Sequence, residues 1–138
     1  LEHLERLRRF QDDEGGRLTS FLCWTYKPWN TDLGGDEVPL STYLRWLAVC
    51  RIYLDNIVHI RTSVLTRNRD ALLGLRFGAN DFDLPTEDEV TQSAGATVSH
   101  AFEDVLQAGR DLGFTLVYRQ PFLPGPGSAA QAEPMPTT

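Results

Sequence analysis

Three short stretches of this chain hold side chains able to recognise a small polar ligand. The first is Trp24-Thr25-Tyr26-Lys27-Pro28-Trp29-Asn30-Thr31, which carries three aromatic rings, hydroxyls, an amide and a cation. Such rings stack on planar ligands while neighbouring hydroxyls and amides hydrogen-bond polar edges. The same rings would serve equally well as packing at the mouth of a barrel. In the second stretch Ser63, Thr66 and Arg67 lie close together, and a guanidinium suits a carboxylate or phosphate. An Arg at a helix start is more often simply solvated. The third is Gly78-Ala79-Asn80-Asp81-Phe82-Asp83, where Asn80 and Asp81 either bind ligand hydroxyls or brace backbone. Glu87 and Asp88, followed by Glu89, could meet a metal or a substrate amine; an acidic first helical turn accounts for them as well.

Reactive chemistry is less in evidence. His3, His59 and His100 have no ligand spacing among them, and no P-loop, dinucleotide fingerprint, nucleophile elbow or zinc motif occurs. Cys23 and Cys50 are far apart in sequence, make no metal pair on their own, and read as small buried hydrophobes of a reducing compartment. A net charge of −6 offers no basic footprint for nucleic acid. The most apolar stretch, 47–60, is interrupted by Arg51, Asp55 and His59, so no membrane span is expected. With no leader visible, the expected location is the cytoplasm.

The elements that must position these residues alternate. Residues 1–13 have helical spacing and run into Gly15-Gly16. Residues 18–26 are short, aromatic and β-branched, as in a strand covered on both faces. A long loop, 27–36, precedes a helix opening at Pro39-Leu40-Ser41, with Ser41 as N-cap, and ending near Asn56. Its apolar face is read as Leu44, Leu47, Ala48, Ile52 and Leu54, with Arg51 and Asp55 close by. Residues 60–66 form a second strand, Asn68 caps a helix over 69–77, and Gly78 stops it. Residues 78–86 read as irregular loop. Thr86 and Glu89 have capping-box spacing, so a helical turn is expected there. Phe102, Val105, Leu106 and Leu112 mark a last helix ended by Gly113, with 114–118 extended after it.

Helical crossovers between buried strands imply parallel pairing. Two or three such strands leave apolar faces and open edges, better satisfied within a larger barrel. The first residue, Leu1, already lies inside a periodic segment. The expectation is therefore an α/β chain forming the C-terminal portion of a TIM-like (β/α) barrel, incomplete on its own. Residues 1–124 would form that segment and its extension, and 125–138, rich in Pro, Gly and Ala, a disordered tail.

Four blocks carry a resemblance. They are Phe21 to Thr31, Leu44 to Ile57, Leu75 to Phe82, and Ser93-Ala94-Gly95-Ala96. In order and spacing they resemble the radical SAM enzymes of the futalosine route to menaquinone. Within that family, Trp24-Thr25 with Pro28 and Asn30-Thr31 is most similar to the dehypoxanthine futalosine cyclases. Aminofutalosine synthases and the enzymes that build a deazaflavin chromophore are the nearest alternatives. The resemblance implies a SAM-cleaving barrel whose N-terminal half holds a 4Fe-4S cluster through a Cys-x3-Cys-x2-Cys motif. That motif is absent from this sequence. The implied partners are the missing N-terminal barrel half and a nucleoside-like small molecule. This chain alone is expected to bind neither SAM nor the cluster, and to be inactive. Trp24, Thr25, Tyr26, Asn30, Asn80 and Asp81, with Glu87 and Asp88, fall on family motifs that would line the substrate side; Ser63 and Arg67 are added from their position after the second strand. The chain departs from the family at Asp83-Leu84-Pro85-Thr86, at Val64 where Trp is frequent, and at Glu89.

Overall fold

The computed structural model describes residues 1–84, 92–93, 95–96 and 102–119, with the backbone of 133–134. Helix α1 spans Glu2–Asp13 and carries Glu2 and Glu5 in its first turn, where the helix dipole favours acids. Its buried Gln11 amide donates to the Leu18 and Asn56 carbonyls at 2.8 and 3.1 Å and accepts from the Leu18 N–H at 2.7 Å. One side chain thereby ties the helix to the approach of the first strand.

Strand β1, Ser20–Leu22, is shorter than the apolar run 18–26. A strand extends only as far as its partner. Strand β2, His59–Thr62, pairs with it in parallel from Ser20↔His59 to Leu22↔Arg61. At Ser63 the chain turns into the short helix α3, Val64–Arg67, capped by the Ser63 hydroxyl accepting from the Thr66 N–H. The second strand therefore ends four residues before its expected limit. Between β1 and β2 lies α2, Leu40–Tyr53, which buries Tyr43, Leu44, Leu47 and Cys50. Pro39, not Ser41, is its N-cap, and the Pro39 carbonyl receives the Thr42 and Tyr43 N–H groups. Ile52, assigned to the apolar face, is 79% exposed.

The helix expected over 69–77 follows α3 as a 3-10 helix, Asn68–Phe77. Asn68 starts it with φ 52° and makes no side-chain cap, while Gly78 ends it in the left-handed region, as expected. Gly74 lets this helix approach closely. A Cβ there would stand 2.7 Å from Leu47 Cδ1 and 2.8 Å from Thr62 Oγ1. Beyond Gly78 comes the main departure from the sequence reading. Asp81–Phe82 is a third strand, β3, parallel to β2 through Arg61↔Asp81 and Thr62↔Phe82. The sheet order is β1-β2-β3, so consecutive strands are neighbours and the helices cross between them.

Strand alternation sorts the side chains into two faces. Ile60 joins Leu47, Cys50 and Leu54 in one core, and Thr62 Oγ1 donates to the Ala71 carbonyl of the 3-10 helix. Phe82 packs on a second core with Val64, Ala71, Leu72 and Val105. Those residues face the helices. His59, Arg61 and Asp81 take the opposite face. Helix α4, Phe102–Asp111, contributes Val105 and Leu106 to the interior. Strand β4, Val117–Tyr118, lies outside the parallel sheet and pairs antiparallel with β5, Glu133–Pro134. The Thr86–Glu89 capping box, the start of the last helix and most of the tail lie outside the described residues. No helix among the described residues is long and apolar enough to cross a membrane.

Candidate functional site

In parallel sheets of this kind, ligands gather at the C-terminal ends of the strands. Those ends are Cys23 to Thr25 after β1, Ser63 after β2 and Asp83 after β3. Thr25 is buried, and its Oγ1 has no hydrogen-bond partner among the described residues. Trp24 and Trp29 are exposed by 53% and 67%. The Tyr26 hydroxyl bonds the Thr31 hydroxyl, which reaches the Pro28 carbonyl at 2.9 Å. Asn30, in a left-handed conformation with φ 54°, donates from Nδ2 to the Ser93 carbonyl at 2.8 Å. Gly95 receives the Trp29 ring so closely that a Cβ would fall 2.1 Å from Cδ1. Two of the four sequence blocks, 21–31 and 93–96, are thus in contact.

Behind this loop lies a charged and hydroxyl-rich frame. Glu37 accepts ion pairs from Lys27 at 2.8 Å and Arg67 at 2.9 Å, and Arg67 also bonds the Val38 carbonyl. Its guanidinium lies over the Tyr43 ring, 5.3 Å from the centroid. The Tyr43 oxygen accepts from the Ser63 N–H at 3.1 Å, approaches Thr62 Oγ1 at 3.0 Å and faces the Cys23 carbonyl at 3.3 Å. Burial pushes the Tyr43 phenol above its ordinary value, so it stays neutral. Ser63 and Arg67 therefore meet protein groups that fasten the ends of β1 and β2 together. Lys27 was noted as the cation of its stretch, but Glu37 and Tyr43 were not singled out from sequence. Glu37 sits inside a loop with no periodicity, and Tyr43 looks like any aromatic on an apolar helix.

Asn80 and Asp81 part company. Because Asp81–Phe82 is a strand, Asn80 stands at its N-terminal end. The Asn80 side-chain Oδ1 accepts from Arg51 Nη2 at 2.7 Å and the Ile60 N–H at 2.9 Å, while Nδ2 donates to the Val58 carbonyl at 3.0 Å. Its amide is committed to bracing the entry to β2. Asp81 lies on the sheet face away from the helices, with Arg61 at 3.1 Å and Arg119 at 2.7 Å. Asp83 accepts from the Val64 N–H at 2.9 Å, and burial raises its pKa. Glu87 and Asp88 lie outside the described residues.

Cys23 and Cys50 meet in space despite their distance in sequence. A hydrogen bond from the Cys50 thiol lowers the pKa of Cys23, and the same bond with burial raises that of Cys50. Among the described residues no group of three His, Cys, Asp or Glu side chains converges as a metal site. The arrangement can stack, hydrogen-bond and neutralise charge.

These features define a class: a partial, unclosed (β/α) barrel with an aromatic and hydroxyl-bearing loop at its strand ends. Residues 16–122 match the family described as CofH/MqnC C-terminal region, and the chain belongs to that family. A cyclic dehypoxanthine futalosine synthase of Streptomyces coelicolor is 40% identical over 99 residues, covering 70% of this chain and 25% of the relative. The enzyme of the same name from Halalkalibacterium halodurans is 33% identical over 114 residues, 80% of this chain and 30% of the relative. An aminodeoxyfutalosine synthase of Thermus thermophilus is also 33% identical, over 123 residues, 80% of this chain and 33% of the relative. The chain thus spans about a quarter to a third of the relatives it matches. The family-level resemblance drawn from the four blocks is met.

Proposed function

We propose that this chain supplies the substrate side of a radical SAM enzyme of the futalosine route, whose whole form cyclises dehypoxanthine futalosine. The observation that carries this reading is the buried Thr25 hydroxyl, without a hydrogen-bond partner among the described residues, in a loop with exposed Trp24 and Trp29 and inside a segment belonging to this family. A buried hydroxyl without a partner costs free energy unless a ligand meets it. In this reading Trp24, Tyr26 and Trp29 flank a planar, nucleoside-like substrate, Thr25 bonds it, and Asn30 holds the loop against Ser93. Ser63, Arg67 and Asn80 position, while Asp81, with Glu87 and Asp88, remains on the substrate side.

The residues present do not fit an iron–sulfur cluster. Such a cluster with SAM on its fourth iron needs three convergent thiolates. The chain has two cysteines, and Cys50 is fully buried with a raised pKa. Cluster and SAM binding are accordingly assigned to an N-terminal barrel half, and residues 1–124 to the substrate-side segment. The test is product analysis by mass spectrometry with the whole enzyme, reconstituted anaerobically and given dehypoxanthine futalosine and SAM. A cyclised product two hydrogens lighter than the substrate is expected, together with 5′-deoxyadenosine. Turnover of the aminodeoxyfutalosine synthase substrate instead would favour the second reading, which rests on the 33% identity to that enzyme.

A further inference from the structure

Strand β3 is the outer strand of the parallel sheet, and the segment 114–119 passes beside it over a cavity of about 470 Å³. Leu106, Phe114 and Leu116 provide apolar wall, and Arg61, Asp81 and Arg119 provide charge. Both guanidiniums address one carboxylate oxygen, Asp81 Oδ2, Arg61 at 3.1 Å through Nε and Arg119 at 2.7 Å through Nη2. Among the described residues neither buried Nε has a well-formed hydrogen bond, the Arg61 Nε contact with Asp81 being an ion pair without hydrogen-bond geometry. Each guanidinium carries five donors in a planar fork, whereas one shared carboxylate oxygen accepts only one from each.

The other ionisable groups nearby do not rebalance the charge. Arg51 is spent on the Gly78 and Ile57 carbonyls and on Asn80. Asp83 is turned to the Val64 N–H and does not line the cavity. His59 shares this sheet face and is kept from protonating chiefly by burial, then by Arg119. Among the described residues the cavity therefore has two cations against one anion. One further negative charge would complete it, whereas a dianion would overshoot.

We infer that this cavity binds a small organic monocarboxylate, its carboxylate toward Arg61 and Arg119 and its apolar body toward Leu106, Phe114 and Leu116. The site concerns binding alone; it shares Asp81 with the proposed substrate side, but it is argued from the cavity's own charges, and Thr25 and the strand-end loop do not line it.

The test uses the 138-residue chain with isotope-labelled arginine, following the Nε–H resonances by NMR at constant ionic strength. Sodium benzoate is the probe, with benzamide and inorganic phosphate as the uncharged and dianionic comparisons. Saturable shifts at Arg61 and Arg119 are expected with benzoate and not with benzamide. Arg119→Gln should weaken benzoate about tenfold, and Arg119→Lys less, because the ammonium keeps charge and loses the fork. Asp81→Asn should strengthen it several-fold by removing the competing carboxylate. Backbone spectra establish that each variant is folded. The inference is overturned if the unsubstituted chain shows no saturable benzoate shift, if benzamide shifts the same signals equally, or if phosphate binds more tightly than benzoate. A folded Arg119→Gln chain that titrates unchanged would overturn it too.

Discussion

Thr25 and His59 show how much a single side chain's surroundings say about its role. The Thr25 hydroxyl is buried without a partner among the described residues, so removing it relieves a penalty in the free protein and, in the proposed reading, takes a bond from the ligand. Thr25→Val should leave the thermal midpoint unchanged or raised, while weakening substrate binding by the whole enzyme about tenfold. A variant that loses stability and keeps affinity would make Thr25 a packing residue. For His59, burial first and Arg119 next hold the pKa below 6.5. The folded state then takes up that proton less readily than the unfolded chain. Its contribution is full above the unfolded value and is lost as pH falls through the folded one. Denaturant midpoints measured as pH is lowered from neutrality should fall more steeply for the parent than for His59→Gln. Parallel curves would remove His59 as the cause. Thr25 could be picked out from sequence by its aromatic neighbours; His59 could not, because its environment comes from Arg119 and Asp81.

Elements here are short, and polar side chains finish what backbone pairing begins. Strand β3 has two residues, and Asn80 anchors its approach by bonding both flanks of β2's entry. Asn80→Ala would leave the Ile60 N–H and the Val58 carbonyl short of a partner, at a cost of about 2 kcal/mol. Urea unfolding of the folded chain measures it, and a change within error would show that water replaces the amide. The helices were legible because their period is long enough to read. Leu44 and Leu47 recur at helical spacing, and Gly78 marks a stop that only a left-handed residue makes easily. A two-residue strand has no period at all, so Asp81–Phe82 reads as loop until its partner is known. The same cause moved Asn80 from an expected irregular loop to a strand entry.

At the scale of the whole molecule, three parallel strands leave β1 and β3 as outer strands, and the face bearing His59, Arg61 and Asp81 carries charge. A closed barrel would cover such edges and enclose that face. The thiols point the same way. Two free cysteines, one of them fully buried, offer no triad for iron, so anaerobic reconstitution of this chain should yield no stoichiometric cluster by iron and sulfide analysis. Joined to an N-terminal half carrying the three-cysteine motif, the chain should be part of a protein that takes one up. A stoichiometric cluster on the isolated chain would overturn that division of labour.

Some of this was decided by sequence alone. Alternating apolar runs and helical spacings required a parallel α/β layer, and the residues from Trp24 to Thr31 and from Ser93 to Ala96 carried the family. Those are local patterns, and local patterns survive in one dimension. Which polar groups end up paired is not local. Only the tertiary structure packs Cys23 against the core that holds Cys50, commits Ser63, Arg67 and Asn80 to the frame, and leaves Thr25 without a partner among the described residues. Only it sets Arg61 and Arg119 on one carboxylate across 58 residues of chain, the difference between their positions. Hydrogen bonds and ion pairs act over a few ångströms of space, and distance along the chain does not reveal which groups will share it.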